Sequence, residues 1–562
     1  MTKIKYSSFS RFLKKNYSIV YLLLKSIFNI KIYNSKLRMR ENLNFPYSTN
    51  QKVHGYEKPF LKTTKGLGYF TRFYSTTFKN PSVLSSFSFL ENFYIFFLEI
   101  FESKICENKL KIKSKRKNNL LVLSHFGPDK LKIQFSKGKK IQQDLFVDPE
   151  RFSLINLKKS NYTFYSKEKF LYSTSFINKP IFKKKKITLV VFIDGFNYFD
   201  DLNFLKKKTP NIYKYFSKGT IFKNHHATSE WTLPSFASIF TSKFTHNHKI
   251  FHPDFNHIVS KENKLMPEFF QEKGYVTFQA NGAKRSSPLY GYVKGFDRTV
   301  FKIDSDCKEL IFETIEHLNT FKKYNNFVFL GLNEIHHFIK STPSLKTQSI
   351  LPPEILYGAN KQKEKKSVEF AFDKNKIRIL ETQMAYLDQY LGILFEYLDK
   401  KKDTEVISTI IADHGHSFLS NDRFDLSDSK ICAPWLLRGH GVDKKIAKEP
   451  TSNIDILPSL LHLAKIKNQN SFDGKLPISL GGKKKRESVF YESIFPGRTY
   501  KAVLKKNGKK TTLETVKKFD YQGKIDTYKL KFKQNTNDNN LEKKVRKILN
   551  SWNKKNRYFY FK

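Results

Sequence analysis

Cysteine is scarce in this chain: Cys106, Cys307 and Cys432 are widely separated and odd in number. That excludes a disulfide scaffold, argues against a cysteine-based zinc site, and fits a reducing compartment. Acidic residues are also few, 51 against 102 basic ones, for a formal net charge of +51. Such a field attracts anions: nucleic acid, a phospholipid surface or an acidic polymer. The basic runs, at Lys183–Lys186, Lys206–Lys208, Lys400–Lys402 and Lys483–Arg486, are scattered between elements rather than gathered in a tail. No zinc-finger, RNP or helix-turn-helix pattern accompanies them, so no specific nucleic-acid partner is expected. Long apolar runs are missing too. Ser18–Leu24 is cut by Lys25 and followed by no small-residue cleavage site, which makes a poor signal peptide. Phe87–Phe101 holds Glu91, Asn92 and Glu99 and is too short and charged to span a bilayer. It reads as an amphipathic helix packed on the protein, with peripheral membrane contact as the second reading. These absences leave the compartment open and lean toward the cytoplasm.

What is present is enough to bury a sizeable core: 562 residues, 39% hydrophobic and 15% aromatic. Residues 1–75 are basic, with little periodicity, and are expected to be partly disordered apart from a short helix near Tyr17–Asn29. Residues 76–184 read as an accessory region. A helix over residues 80–105 follows the start signal Asn80-Pro81-Ser82, and short β-type runs follow at Leu120–Leu123, Leu131–Phe135 and Asn161–Tyr165. Beyond Lys183–Lys186 the pattern alternates between strand and helix, predicting an α/β domain over residues 185–485 with a mostly parallel central sheet and helices on both faces. Residues 486–562 read as a small sheet closed by a helix at Leu541–Trp552.

Within 185–485, four predicted strands run into polar residues: Asp194, Asn281, Asn333 and Asp413. Ligands bind beyond the carboxyl ends of the strands of an open parallel sheet, so convergence of these ends would make a site. Asp194, Asp413 and His414 offer two carboxylates and an imidazole, a set suited to a divalent ion. Thr232 offers a hydroxyl at a predicted helix start, where backbone N–H groups can face an oxyanion. A metal would activate that hydroxyl as a nucleophile. Thr232 as a simple N-cap, and Asp194 as a turn former, are the structural alternatives.

These residues bring a family into view. From Ile187 to Ala502 the chain resembles the alkaline phosphatase/sulfatase superfamily. Val191-Phe192-Ile193-Asp194 is similar to its first metal-binding strand, and Thr209-Pro210-Asn211-Ile212 with Gly219-Thr220-Ile221-Phe222 to the segment that follows. Thr232-Leu233-Pro234-Ser235 resembles the nucleophile motif, Cys, Ser or Thr followed by x-Pro-Ser. Gly295-Phe296-Asp297, Ile411-Ala412-Asp413-His414-Gly415, Asn453–Leu460 and Phe472-Asp473-Gly474 look like later family motifs, in order. The resemblance implies an anionic-ester hydrolase or transferase with one divalent ion (Zn, Mn or Ca). Its ligands would be Asp194, Thr232, Asp413 and His414. Thr232 would be the nucleophile, and His337 or His416 would serve the leaving group. The departures redirect the chemistry. Sulfatases convert a Cys or Ser to formylglycine, and Thr232 stands there. Their Arg after Pro-Ser is Phe236, and their second aspartate is Gly195. Asn333 replaces the aspartate that two-metal phosphatases carry. A phosphate ester or phosphodiester is therefore the expected substrate, such as a glycan or lipid headgroup ester. A sulfatase of unusual nucleophile and a non-catalytic module binding acidic glycan or a membrane surface are the alternatives.

Overall fold

The computed structural model describes residues 68–74, 97–116, 119–125, 130–138, 140–147, 152–197, 201–251, 259, 263–301, 305–336, 344–345, 348–349, 371–495, 498–518, 532–534 and 539–555. They fall in two compact units, Met1–Asn178 with Arg298–Ile303, and Lys179–Asp297 with Asp304–Lys562.

The second unit is built on one strand. In β1 (Lys185–Ile193) every residue from Ile187 onward is buried. A run of β-branched and aromatic residues hidden on both faces is the signature of a central parallel strand. The other elements that frame the site are α1 (Leu202–Lys208), α2 (Pro210–Phe216), β2 (Thr220–Phe222), α3 (Thr232–Thr241), α4 (Met266–Glu272) and β3 (Val276–Asn281). After these come α5 (Cys307–Thr320), β4 (Asn326–Leu332), α6 (Lys374–Asp399), β5 (Thr404–Ile411), β6 (Trp435–Gly439), β7 (Lys445–Ala447) and α7 (Ile456–Leu463). The sheet order is β7-β2-β6-β5-β1-β4-β3. The pairs β1–β4, β1–β5, β3–β4 and β2–β7 are parallel; only β6 runs against its neighbours. This is the mostly parallel α/β sheet the alternation predicts.

Register decides where the site forms. Ile193 lies opposite Leu332, and Phe192 opposite Ile411. The first residues past β1, β4 and β5 therefore emerge side by side at one sheet edge. The ladder continues one step further, with the Asp194 N–H donating to the Leu332 carbonyl at 2.9 Å.

Helix α3 is buried along its whole length. Phe236 packs its ring 4.9 Å from Phe192 and 5.6 Å from Phe329, and Phe240 lies 5.1 Å from Phe329. Aromatic anchoring on β1 and β4 thus fixes the height of Thr232 over the sheet. Helix α6 buries Leu380, Met384, Leu387, Leu391, Leu394 and Leu398 at helical spacing. From the same helix Asp388 accepts the N–H groups of Asn211 and Ile212, capping α2. At the end of the chain β8 (Ser488–Ser493), β9 (Thr499–Lys506), β10 (Lys509–Lys518) and β11 (Phe532–Gln534) form an antiparallel sheet in that order. Helix α8 (Asn539–Lys555) buries Leu541 and Val545 against Phe490, Tyr500 and Leu513.

The first unit is β-rich. Its strands form two antiparallel arrays, one of Lys109–Ser114, Ser160–Tyr165, Leu131–Lys137 and Lys140–Val147, the other of Arg298–Phe301, Phe97–Cys106, Phe170–Phe176, Asn119–His125 and Ser153–Leu157. Leu110, Ile112, Leu121, Leu123, Ile133 and Phe164 share one core. The helix expected over residues 80–105 is corrected here. Phe97–Cys106 is a strand, paired with Gly68–Tyr74, Phe170–Phe176 and Arg298–Phe301. Its Phe and Ile content suits a pleated surface, and pairing overrides the weak helical periodicity. The rest of that segment, and the helix expected at Tyr17–Asn29, lie outside the described residues. Among the described residues, no helix is long and apolar enough to cross a membrane.

Candidate active site

The strand ends set the geometry. Asp194 is buried where β1 stops, and Gly195 follows at φ +75°. The N–H of Gly195 donates to Oδ1 of Asp413 at 3.1 Å, and the N–H of His414 donates to the same oxygen at 2.9 Å. The turn after β5 is held from behind as well. The Gly415 N–H reaches the Lys430 carbonyl at 2.8 Å, and Asn453 Nδ2 reaches the Asp413 carbonyl at 3.3 Å. A Cβ at Gly415 would collide with the Ser429 carbonyl, so this close approach needs glycine.

Proton bookkeeping then shows what the cluster lacks. Nδ1 of His414 lies 2.7 Å from the Gly415 carbonyl, which can only accept. Nδ1 therefore carries a hydrogen, and Nε2 is the ring atom turned into the site. Nε2 lies 3.3 Å from Asp413 Oδ2 and 3.7 Å from Asp194 Oδ1. Asp413 Oδ2 is buried and has no hydrogen-bond partner. His336, in the turn after β4, brings its Nε2 within 3.6 Å of Asp194 Oδ1. Asp194, His336 and His414 each offer a ligand atom, all within 4.8 Å of one another. Two buried carboxylates and two imidazoles converge here as a set of possible ligands. With Asp413 Oδ2 left unpartnered among them, these residues fit a divalent cation.

Thr232 faces the same corner. Its Oγ1 lies 3.3 Å from His414 Nε2, with only 2% of the residue exposed. It is the first residue of α3, and no side chain caps that helix start. The first-turn N–H groups and the positive end of the helix remain available to an anion. Trp231 flanks Thr232, and the Arg285 guanidinium lies over the Trp231 ring at 5.0 Å. Nη1 of Arg285 is buried without a hydrogen-bond partner. A cation held in that way over the residue that precedes Thr232 suits an anionic group. On the other side Glu230 is buried and accepts from the hydroxyls of Ser229 and Ser493. Burial raises its carboxyl above the ordinary range, and those hydroxyls oppose the shift.

Asp194, Thr232, Asp413 and His414, separated widely along the chain, thus gather at one corner. His416 is close by: its ring centre is 6.3 Å from those of His414 and His336, and it is buried over Gly195. His337 lies outside the described residues; its neighbour His336 is the imidazole at this corner. Asn281 does not join the cluster. Its amide is spent on Ser286 and on the Ala283 N–H. Asp297 of the Gly-Phe-Asp motif is structural, pairing with Lys179 at 2.6 Å and accepting the Thr277 N–H. Arg285 and His336 are the two site residues that sequence reasoning did not select. An adjacent His pair after a buried strand was the signal for the second, and nothing in the pattern marked the first.

The profile of the family described as Sulfatase matches residues 186–466, half of the chain and the whole of this corner. The chain belongs to the sulfatase family. A relative of this sulfatase-family chain is the ulvan-active sulfatase of Formosa agariphila, 24% identical over 305 residues, which are 48% of this chain and 59% of the relative. The chain therefore matches about three-fifths of that relative's length. Among solved structures it is similar to a 2-O GAG sulfatase, at 16% identity and TM-score 0.46, covering 59% of this chain and 83% of that one. It is similar also to the phosphonate monoester hydrolase of Agrobacterium radiobacter, at 15% identity and TM-score 0.45, covering 58% and 87%.

Proposed function

We propose that this chain is a metal-dependent hydrolase of an anionic ester, with a phosphate ester or phosphodiester as substrate and Thr232 as nucleophile. The observation that carries the reading is the 3.3 Å approach of Thr232 Oγ1 to His414 Nε2, inside a cluster of buried acceptors. Asp194, Asp413 and His414, with His336, would hold the ion, and Thr232 lies beside them. Imidazole and carboxylate together favour Zn²⁺ or Mn²⁺ over Ca²⁺, which prefers six to eight oxygen ligands. Such an ion supplies positive charge beside the nucleophile and the ester oxygens.

The chain's own groups do the rest. The α3 N-terminus and Arg285 orient the anionic ester and oppose the charge that builds on its oxygens. The Thr232 oxygen bonds to phosphorus, its proton passing to solvent, as the bond to the leaving oxygen breaks. A proton from His416 or His337 neutralises that oxygen. Water then cleaves the Thr232–phosphorus bond and restores the hydroxyl. A threonine cannot become formylglycine, and for that reason the reading favours phosphorus over sulfur. The strongly basic chain suits a polyanionic substrate, such as a glycan or lipid headgroup ester.

The test is side-by-side turnover of an aryl phosphodiester, an aryl phosphate and an aryl sulfate by zinc- or manganese-loaded protein. Preference for either phosphorus ester supports the proposal. Preference for the sulfate makes the chain a sulfatase of unusual nucleophile. Failure on all three, with metal bound, favours a binding module.

A further inference from the structure

A second group of ligand-type side chains gathers away from Thr232. Asp306, Cys307 and Glu334 each offer one ligand atom, and these atoms all lie within 4.8 Å of one another. Two elements supply them. Asp306 caps α5 by accepting the Lys308 N–H, and Cys307 is that helix's first residue, fully buried. Glu334 lies in the turn after β4, two residues before His336.

The group is built like a ligand set. Both carboxylate oxygens of Glu334 are buried, and neither is within hydrogen-bond geometry of a donor. Asp306 is oriented from outside: the Tyr386 hydroxyl sits 2.9 Å and 2.8 Å from its two oxygens. Outer hydrogen bonds of this kind fix a ligating carboxylate. The nearby ammonium of Lys308 is 3.9 Å from Asp306 Oδ2, beyond hydrogen-bond distance. Two carboxylates and a thiol converging within 4.8 Å, with both Glu334 oxygens buried outside any regular hydrogen bond, are a donor set suited to an ion.

We infer that Asp306, Cys307 and Glu334 form a second cation site, taking a borderline-soft divalent ion of the Zn²⁺ type through one thiolate and two carboxylate oxygens. Water completes the tetrahedron. The thiolate excludes Mg²⁺ and Ca²⁺ as the natural occupants, since both demand oxygen. Binding releases the thiol proton. The ion ties the start of α5 to the turn that carries His336, and so holds that imidazole in place. Spacing between cysteines cannot reveal such a site, because it uses one cysteine.

The experiment uses the full chain stripped with chelator and reloaded with Zn²⁺ or Co²⁺. Two zinc equivalents per chain are expected for the wild type, falling to one in Cys307→Ser and to one in Asp413→Asn. The cobalt form is expected to show a thiolate-to-cobalt charge-transfer band in the near ultraviolet. That band disappears in Cys307→Ser and persists in Asp413→Asn, so failure of the catalytic corner and failure of this site read differently. A wild-type cobalt form without the band, or a band that survives Cys307→Ser, overturns the inference. Should Cys307→Ser not fold, the Cys106→Ser/Cys432→Ser protein decides, since Cys307 is then its only thiol. Retention of the band supports the site, and its loss overturns it.

Discussion

Replacing Gly195 by alanine imposes two costs that can be measured apart. The first is conformational. Gly195 sits at φ +75°, where an L side chain crowds its own backbone, at about 1–2 kcal/mol. The second is steric. A Cβ there would lie 2.6 Å from Nε2 and 2.7 Å from Cε1 of His416. That ring is 1% exposed and rests 4.8 Å from the Phe418 ring, so it has little room to retreat. Overpacking of this kind costs about 1–3 kcal/mol, for a total near 2–5 kcal/mol with the backbone cost included. Urea unfolding of wild type, Gly195→Ala, His416→Ala and the double variant closes a cycle. The double variant is expected to recover the steric part, a coupling of about 1–3 kcal/mol, and to retain the backbone part. A Gly195→Ala protein within about 0.5 kcal/mol of wild type, or a strictly additive cycle, would refute the packing described for this corner.

Three further outcomes follow from the same geometry. His225 and His226 are buried, and burial depresses both imidazoles to about 3. The unfolded chain therefore binds protons that the folded chain refuses. The stabilisation from the neutral rings is complete above about pH 6.5 and is lost as pH falls toward 3. Between pH 7 and 5 each ring costs about 2 kcal/mol, which urea midpoints at the two pH values would register and a His225→Gln protein would show in reduced form. Chelator treatment is expected to lower Tm. Zn²⁺ or Mn²⁺ restores it by about 2.7 kcal/mol of stability at a hundredfold excess over Kd, and Ca²⁺ does not; restoration by Ca²⁺ alone would contradict the ligand assignment. Arg285→Ala is expected to lower kcat/KM about tenfold to hundredfold with metal content unchanged, while Arg285→Lys keeps part of the activity; an unaffected kcat/KM removes Arg285 from the anion site.

Much of this was legible in the chain. The buried run Ile187–Ile193 stopping at Asp194, and the strand before Asp413-His414, carry their own signal, because a parallel sheet delivers strand ends to one edge. The Thr232 helix start was readable from Thr-x-Pro-Ser, and its height over the sheet follows from Phe236 packing on Phe192. Other features depend on contacts that no local pattern encodes. That His336 turns toward Asp194 is set by the turn that follows β4, not by the local residue pattern. Arg285 joins the corner only through tertiary packing on Trp231. Phe97–Cys106 has the mixed periodicity of a helix and becomes a strand because neighbours on both edges complete its hydrogen bonds. The substitution of Gly195 for a family aspartate was visible in sequence, but its counterpart, the His416 ring filling that space, was not.

The central claim is that Thr232 is the attacking group at a cation held by Asp194, Asp413 and His414. The most direct measurement pairs metal analysis with turnover of an aryl phosphodiester in Thr232→Ala. The account predicts that the variant keeps its ion and its fold while turnover falls at least about a thousandfold. A metal-loaded Thr232→Ala protein that turns over at the wild-type rate would contradict it.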